Sequence, residues 1–404
     1  MCGIAGIISK RAFSSSYLYQ KKSMSRLMFN RGPDYQGSFN FKGSSFELRL
    51  FHSRLSIIDI NERSNQPYKF NELILIYNGE ICNYKEIKRI LINKGYKFYT
   101  SSDTEVLIKA YSFWGKKCVN YFDGMWAFAI FDKKKNEIFL SRDNFGEKPL
   151  YYYYDENEFI FGSEIKYLKY LCTKQKIYNL NSDKIYGYLY QGYKSINKDN
   201  TSFFKYIKKL DAGSNLSINL NSLKLDFKSY LNRHKIINNN IASNIKDNIE
   251  EVKLKLIESL RLRLRSDVPL AFCLSGGVDS SALVSLSSKL FNIRPTCFSI
   301  IDQDPRYDEK KNILFTKKDT DCETEFIKLK KKRNSVFFEE IEKLIDYHDS
   351  PISTISYYVH SKISERAKKS GFKVILSGTG ADEIFTGYYD HSLLFLNEIK
   401  KSKF

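Results

Sequence analysis

The spacing of apolar and polar residues divides the chain into a strand-rich part and a part that alternates strands with helices. Up to about residue 212, β-branched and aromatic runs are separated by turn residues, as in ELRLFHSRLSIIDI, ELILIYNGEI, WAFAIFDKKKNEIFLSRD and PLYYYYDENEFIFGSE. These runs predict hairpins across DKKKNE and YDENE, while helical spacing interrupts the strands at Lys85–Lys94 and Thr104–Trp114. Strands and helices in separate runs predict an α+β sandwich.

The pattern changes after residue 212. Residues 213–245 are rich in Asn, Ser and Lys, and they predict an edge hairpin followed by a polar linker. Apolar spacing becomes helical over Asn248–Leu264, and VPLAFCLS, PTCFSII and FKVILSG then predict buried strands with helices between them. This alternation is typical of an α/β doubly wound parallel sheet. We therefore expect two domains, 1–212 and 246–404.

Composition narrows the function classes only a little. The formal net charge is +19, but the lysines are spread along the chain and the densest run, KLKKKR from Lys328, is most simply a solvated face. We therefore do not expect a nucleic-acid partner. Seven cysteines without a C-x-x-C pair indicate neither a zinc site nor a disulfide framework. The sequence contains no secretory signal and no apolar run that could cross a membrane, so a cytoplasmic location is expected.

Ser275–Ser281, SGGVDSS, joins a buried strand to a helix and has the composition of a phosphate-binding turn. Backbone N–H groups at a helix start favour anions, and Gly276 and Gly277 are expected to take positive φ and allow close approach. A carboxylate at Asp279 fits such a turn when Mg²⁺ bridges it to the phosphate. The alternative is an ordinary glycine-capped turn.

A second turn, in VILSGTGADEIFTGY, carries Asp382 and Glu383, and both turns are expected to face one cleft at the strand ends.

Cys2 directly follows the initiator methionine in MCGIAGI. Removal of Met1 would give Cys2 a free α-amine with a pKa near about 8, close to the thiol value of about 8.5. The amine can then take the thiol proton, so that one residue supplies both nucleophile and base. The alternative is a buried cysteine at a chain terminus.

Seven short motifs occur together with Cys2 over the first 165 residues. They are CGIAGI from Cys2, RGPD from Arg31, RLSIID from Arg54, NGEICNY from Asn78, SDTEV from Ser102, DGMWAFAIFD from Asp123 and RDNFGEKPLYY from Arg142. This part of the chain resembles the class II glutamine amidotransferases, whose N-terminal cysteine hydrolyses glutamine. The resemblance implies an N-terminal-nucleophile αββα sandwich with Cys2 as nucleophile.

The residue types at these positions suit a glutamine site. Arg54 can offer a bidentate fork to the α-carboxylate of glutamine, and Asp103 and Glu80 can accept the α-ammonium. The Asn78 side-chain amide and the Gly79 N–H can form an oxyanion hole. Taken singly, Arg54 could equally form a surface ion pair and Asn78–Gly79 a turn.

SGGVDSS resembles the loop of the ATP pyrophosphatases, and the order of the two halves resembles the glutamine-hydrolysing asparagine synthetases. The resemblance implies ATP, Mg²⁺, glutamine and aspartate as cofactors and substrates, with an ammonia tunnel between the sites. It places metal binding at Asp279 and Asp382. It places ATP and pyrophosphate binding at Leu274, Ser275, Gly276, Gly277, Asp279, Ser280, Ile300, Ser377 and Gly378.

Two departures from that family leave alternatives open. Thr379 stands where many members carry a Glu thought to assist intermediate formation, and HDSPISTISYYVH from His348 is closer to synthetase-like enzymes found with surface-sugar genes. Another carboxylate, such as a surface-sugar precursor, is therefore an alternative acceptor. A β-lactam synthetase is disfavoured by the complete Cys2 motif set.

The family usually continues well beyond the Ala381–Glu383 turn, whereas this chain stops at Phe404. The expectation is a truncated or split product in which glutamine hydrolysis is present and asparagine synthesis is weak, unless a homodimer or a separate chain completes the synthetase domain. An inactive scaffold remnant is the non-enzymatic alternative.

Overall fold

The computed structural model describes residues 1–13, 15–231, 245–302, 304, 306, 308–329, 334–388, 391–393 and 396. The chain forms two compact units, which are taken separately below. The first comprises Met1–Asn248 and Ser335–Ile355, and the second comprises Ile249–Asn334 and Ser356–Phe404. Residues 335–355 thus group with the first unit although they follow the start of the second along the chain. The predicted domain boundaries remain a prediction.

The first unit contains two six-stranded antiparallel sheets. The first sheet has the order β10-β8-β9-β1-β3-β2, formed by β1 (Gly3–Ser9), β2 (Tyr35–Lys42), β3 (Glu47–Arg54), β8 (Tyr151–Tyr154), β9 (Glu158–Gly162) and β10 (Lys208–Lys209). The second sheet has the order β12-β11-β7-β6-β5-β4, formed by β4 (Tyr68–Phe70), β5 (Leu73–Ile81), β6 (Gly124–Asp132), β7 (Glu137–Arg142), β11 (Ser214–Asn219) and β12 (Leu225–Ser229).

Helices cover the outer faces of both sheets. The helices of this unit are α1 (Tyr17–Met28), α2 (Tyr84–Asn93), α3 (Asp103–Trp114), α4 (Ile165–Leu171) and α5 (Ser182–Gln191), with short 3₁₀ turns at Glu62–Ser64, Gly115–Tyr121, Gln175–Tyr178 and Gly192–Ser195. Helices α1 and α4 pack on the first sheet, whereas α2 and α3 pack on the second. Two further helices, α6 (Ile245–Arg263) and α9 (Asn334–His348), cross the limits of the unit.

Strand β1 shows how the sandwich is built. Successive side chains of a strand point to opposite faces. Ile4 and Ile8 accordingly pack between the two sheets, while Ala5 and Ile7 pack against α1 and α4. Every residue of the strand is buried. The αββα architecture is therefore confirmed.

The predicted hairpins are present. Strands β6 and β7 pair across residues 133–136, and β8 and β9 pair across residues 155–157. The expected edge hairpin is formed by β11 and β12, and its pairing with β7 makes it the outer part of the second sheet. Most of the predicted polar linker, residues 232–244, lies outside the described residues, as does most of the KLKKKR run.

The second unit is built on a parallel sheet with the order β15-β14-β13-β16. Its strands are β13 (Leu270–Cys273), β14 (Thr296–Ile301), β15 (Glu323–Lys328) and β16 (Val374–Leu376), and its further helices are α7 (Val278–Phe291), α8 (Lys310–Thr320), α10 (Ser356–Lys369) and α11 (Ala381–Phe385). Phe272 packs with α7 and α8 on one face, whereas Ala271 packs with α10 on the other. The doubly wound parallel sheet is confirmed. Strand β15 was not anticipated.

Within the described ranges, no helix combines the length and the apolar character that crossing a membrane requires.

Candidate active sites

Cys2 directly precedes β1, a central strand of the first sheet. Its thiol donates to the Leu55 carbonyl O at 3.6 Å, and the Leu55 N–H donates to Sγ at 3.3 Å. Gly3 pairs with Ser53 on β3, and a Cβ at Gly3 would lie 2.7 Å from Ser53 Oγ. A side chain there would require the Ser53 hydroxyl to turn away, so the space next to Cys2 is narrow.

The six residues predicted for the glutamine site line a single pocket with a cavity volume of about 50 Å³. They are Cys2, Arg54, Asn78, Gly79, Glu80 and Asp103. Strands β1, β3 and β5 and the start of α3 contribute them, although they lie up to 101 positions apart along the chain. The structure thus brings together every residue that the sequence suggested for this site. Their individual roles remain predictions.

Asn78 and Gly79 lie on β5, beside β6. Asn78 is 1% exposed, and its side-chain Nδ2 has no hydrogen-bond partner among the described residues. A buried amide donor without a partner is costly, so such a group commonly has a ligand or a water to bind. At Gly79 an added Cβ would lie 2.1 Å from the Met125 carbonyl O, which excludes any larger residue.

Arg54 is buried and largely engaged by the loop that follows it. Its Nη1 donates to Asn61 O at 2.8 Å and to Asn65 Oδ1 at 2.9 Å. Its Nη2 donates to the carbonyls of Ile58 and Asp59. These four contacts use four of the five N–H groups of the guanidinium and leave only that of Nε. In this arrangement Arg54 has no free pair of N–H groups for the bidentate contact expected from the sequence. A ligand carboxylate would have to use Nε or replace a loop contact.

Two carboxylates face the pocket in different settings. Asp103 accepts the Tyr77 hydroxyl at 2.9 Å and the Ile81 N–H at 3.1 Å, and burial raises its pKa. Burial, assisted by the neighbouring Asp103 charge, raises the pKa of Glu80 to about 7. Glu80 is therefore only partly ionised at neutral pH, and a cationic ligand group would favour its charged form.

The Cys2 thiol and the chain terminus are both desolvated. Burial raises the pKa of the Cys2 thiol, so the thiol keeps its proton at neutral pH. Burial lowers the pKa of the α-amine, here that of Met1, to about 6. An amine in this position is mostly uncharged at neutral pH and can accept a proton.

Several pocket residues were not anticipated. Lys148 is 8% exposed, lines the pocket and has its pKa lowered by burial. Leu55 contacts the Cys2 thiol, and Tyr77 holds Asp103. Leu55 and Lys148 lie inside motifs that the sequence analysis used, RLSIID and RDNFGEKPLYY. Neither residue type carries a local signal that it faces a pocket.

A second pocket, with a cavity volume of about 510 Å³, lies at the carboxyl ends of the parallel strands. Ten predicted residues line it, namely Leu274, Ser275, Gly277, Asp279, Ser280, Ile300, Ser377, Gly378, Thr379 and Asp382. The chain runs from β13 to β14 and β15, then returns to β16 on the other side of β13. The pocket therefore surrounds the point at which the strand order reverses, where ligands bind in such sheets.

The turn between β13 and α7 corrects one prediction. Gly276 has φ +87°, whereas Gly277 is the N-cap of α7 with φ −73°. Only the first glycine thus uses the left-handed region, and it does not line the pocket. The Ser275 N–H and the Ser280 hydroxyl are 3.1 Å apart, which closes the turn.

The second acidic turn packs directly against the first. A Cβ at Gly378 would lie 3.0 Å from Ser280 N, so a larger residue here would crowd the two turns. The Thr379 hydroxyl lies 2.8 Å from that of Ser377. The structure thus confirms that both turns face one cleft.

The predicted metal residues were tested against this geometry. Within the part of the chain that the structure describes, no group of three or more His, Cys, Asp or Glu side chains could hold a metal ion. Asp279 and Asp382 both line the second pocket. Mg²⁺ often takes one or two carboxylates together with substrate phosphates. The pair therefore fits an ion that arrives with a nucleotide.

Two protein-family models match this chain, one in each part. A glutamine amidotransferase domain model matches residues 1–231, and an asparagine synthase model matches residues 251–402. The first pocket lies in the former match and the second in the latter. The chain belongs to the glutamine-hydrolysing asparagine synthetase family.

Three relatives show the range of similarity. A Methanocaldococcus jannaschii protein, provisionally assigned as a glutamine-hydrolysing asparagine synthetase, is 34% identical over 97% of this chain and 76% of its own. Asparagine synthetase 1 of Bacillus subtilis is 30% identical over 96% of this chain and 59% of its own. An amidase of Gibberella zeae is 26% identical over 96% of this chain and 59% of its own. The chain thus spans between about half and three quarters of its relatives' lengths.

Proposed function

We propose that this chain is a glutamine-dependent carbon–nitrogen ligase. Glutamine is hydrolysed at the first pocket, and the ammonia is used at the second to amidate a carboxylate that ATP has activated as an acyl-adenylate. AMP and pyrophosphate are the other products. The observation that carries this proposal is the convergence on one pocket of Cys2, Glu80, Asp103 and Asn78, whose Nδ2 has no partner among the described residues.

The proposed first step is attack by the Cys2 sulfur on the side-chain amide carbon of glutamine. In the processed chain the α-amine belongs to Cys2 itself, and an amine at a buried chain terminus favours its neutral form, as burial already does for Met1. The amine takes the thiol proton as the C–S bond forms, then passes it to the departing nitrogen as the C–N bond breaks. Water cleaves the thioester to release glutamate.

The remaining pocket residues fit the polar groups of glutamine. Asn78 Nδ2 and the Gly79 N–H would donate to the oxyanion of the tetrahedral intermediate. The α-ammonium would bind Glu80 and Asp103, which stabilises both carboxylates in their charged forms. Arg54 supplies positive charge for the α-carboxylate from a position that the loop carbonyls already fix.

At the second pocket the residues fit a nucleotide and its phosphates. The start of α7 presents backbone N–H groups toward the cleft, and a helix of 14 residues has a full dipole to offer an anion. Asp279 and Asp382 would hold Mg²⁺, which would screen the phosphate charge when bound. Ser275, Ser280 and Ser377 add hydroxyl donors.

Aspartate is the acceptor that the family name suggests, and another carboxylate is the second candidate. One observation favours the second: Thr379 lines the cleft where many family members carry a glutamate, and its hydroxyl is paired with Ser377. A threonine can donate a hydrogen bond but cannot serve as a carboxylate base. The acceptor must then be tested directly.

The test combines two assays on the full chain. Glutamate release from glutamine, with Cys2→Ala as the blank, separates an enzyme from a scaffold. Pyrophosphate release is then measured with ATP, Mg²⁺, ammonia and one carboxylate at a time, starting with aspartate. No glutamate release above the blank would contradict the proposal for the first pocket. Release of pyrophosphate with another carboxylate but not with aspartate would assign the second candidate.

A further inference from the structure

A buried arginine outside the pocket supports the main chain of Cys2. Arg31 is 5% exposed, and its Nε–H donates to the Cys2 carbonyl O at 2.8 Å. Its aliphatic part lies beside Gly3, where an added Cβ would be 3.4 Å from Arg31 Cδ. Arg31 is not among the residues that line the pocket. It therefore acts on the nucleophile through the backbone, without reaching the ligand space.

Arg31 is in turn held by an acidic residue from a distant part of the chain. Its Nη1 lies 3.1 Å from Glu164 Oε1, and both side chains are less than one-tenth exposed. Glu164 lies between β9 and α4, and the preceding Ser163 Oγ accepts the Ile4 N–H at 3.1 Å. A buried guanidinium needs a close anion because an unpaired buried charge is strongly unfavourable. Glu164 therefore keeps Arg31 in place beneath Cys2.

A second set of contacts fixes Glu164. Its Oε2 pairs with Lys166 Nζ at 3.1 Å. Lys166 also donates from Nζ to the Tyr347 carbonyl O at 3.1 Å and from its backbone N–H to Asp349 Oδ2 at 3.0 Å. Tyr347 and Asp349 belong to the part of the chain that groups with the first unit. Asp349 comes from the HDSPISTISYYVH motif, which none of the site assignments above uses.

We propose that Glu164 is a positioning residue for glutamine hydrolysis. Through Arg31 it holds the Cys2 main chain in the orientation that the thiol needs for attack, and Lys166, held by Asp349, fixes Glu164. The inference rests on the proposed role of Cys2 as nucleophile. A misplacement of about 1 Å by a mutation remote from the chemistry can lower a rate by about 100-fold. A change at Glu164 should thus lower kcat while the residues that bind glutamine stay in place.

The test is Glu164→Gln in the full chain, compared with Asp155→Asn. Asp155 is a matched control because it is a similarly buried acid, 12% exposed, in an ion pair with Lys174 in the same unit. Two readouts are taken: kcat and KM for glutamine, and the rate of Cys2 alkylation by iodoacetamide, followed by mass spectrometry. We expect Glu164→Gln to lower kcat by roughly 10- to 100-fold, to change KM little, and to alter the alkylation rate. Asp155→Asn should leave all three near wild type.

The outcomes separate this inference from the proposed function. Wild-type kcat and alkylation in folded Glu164→Gln would overturn the positioning role, as would equal losses in both variants. If the wild-type chain releases no glutamate, the proposed function fails, and the alkylation comparison alone decides whether Glu164 positions Cys2. If Glu164→Gln does not fold, Glu164→Asp decides instead. It keeps the charge but shortens the reach, so a lowered kcat is expected and a wild-type kcat would refute the inference.

Discussion

Asn78→Ala isolates the buried amide that we assign to the oxyanion hole. Asn78 Nδ2 has no partner among the described residues, and the side chain is 1% exposed. Leaving such a donor unpaired costs about 1–3 kcal/mol. That cost is removed when the tetrahedral oxyanion accepts the bond, so the interaction acts mainly in the transition state.

The expected loss in kcat follows because this hydrogen bond forms mainly in the transition state. Removal of one oxyanion-hole donor typically lowers kcat about 100- to 1000-fold, or about 2.7–4 kcal/mol in the barrier. Because Nδ2 has no partner among the described residues, its removal relieves the penalty of an unpaired donor and offsets the packing lost with the side chain. The free energy of unfolding should therefore change by no more than about 1 kcal/mol in either direction. The rate of glutamate release at saturating glutamine, together with a denaturant titration, measures the two quantities.

Asn215→Ala provides the control. Asn215 is a second buried asparagine of the same sheet, on β11, and its Oδ1 also has no partner among the described residues, but it does not line the pocket. This variant should keep wild-type glutamate release. If Asn78→Ala retains a kcat within about threefold of wild type, or if both variants lose the same activity, the oxyanion assignment is wrong.

Three further predictions concern the two pockets. Cys2→Ala should abolish glutamate release and spare ammonia-dependent pyrophosphate release, because only the first site needs the thiol; equal loss of both activities would argue against separate sites. The kcat/KM for glutamine should rise from pH 6 to pH 8, because Glu80, with its pKa raised to about 7, must ionise to bind the α-ammonium. If the pH profile of Glu80→Gln still rises through pH 7, Glu80 is not the cause. Asp279→Asn should weaken the Mg²⁺ dependence of ATP binding measured by calorimetry, whereas binding at wild-type strength would indicate a purely structural turn.

The fold was predictable wherever one local pattern repeated. Alternation in WAFAIFD and EIFLSR, separated by a polar turn, was sufficient to predict the β6–β7 hairpin, since side chains of a strand point to alternate faces. Strand β13 was predicted from its continuous apolar run, as expected for a parallel strand covered on both sides. The helix after Gly277 was predicted from the glycine-rich turn before it, and helical spacing predicted the helix that the structure has at Asp103–Trp114, although with Thr104 as its start.

Strand β15 was missed for a physical reason. Strand β15 lies at the edge of the parallel sheet and is half-buried, so its sequence, ETEFIK, can carry two glutamates and a lysine. Such a strand resembles loop sequence when neighbours are unknown. The prediction of positive φ at Gly277 was wrong for a similar reason. Two adjacent glycines permit positive φ at either position, and only the path of the chain from β13 into α7 selects Gly276.

The sequence by itself determined which chemical groups the chain carries and in what local turns they lie. It suggested Cys2, Asn78, Glu80 and Asp103 as site residues, and it placed SGGVDSS at a strand end, because these features depend on residue type and near neighbours. Tertiary structure alone decided that β1 inserts between β3 and β9, which places Leu55 on the thiol and Arg31 beneath it. Such pairings join residues far apart in the chain and have no local signal. The shifted pKa values of Cys2 and Glu80 likewise depend on burial, which exists only once the sheets have packed.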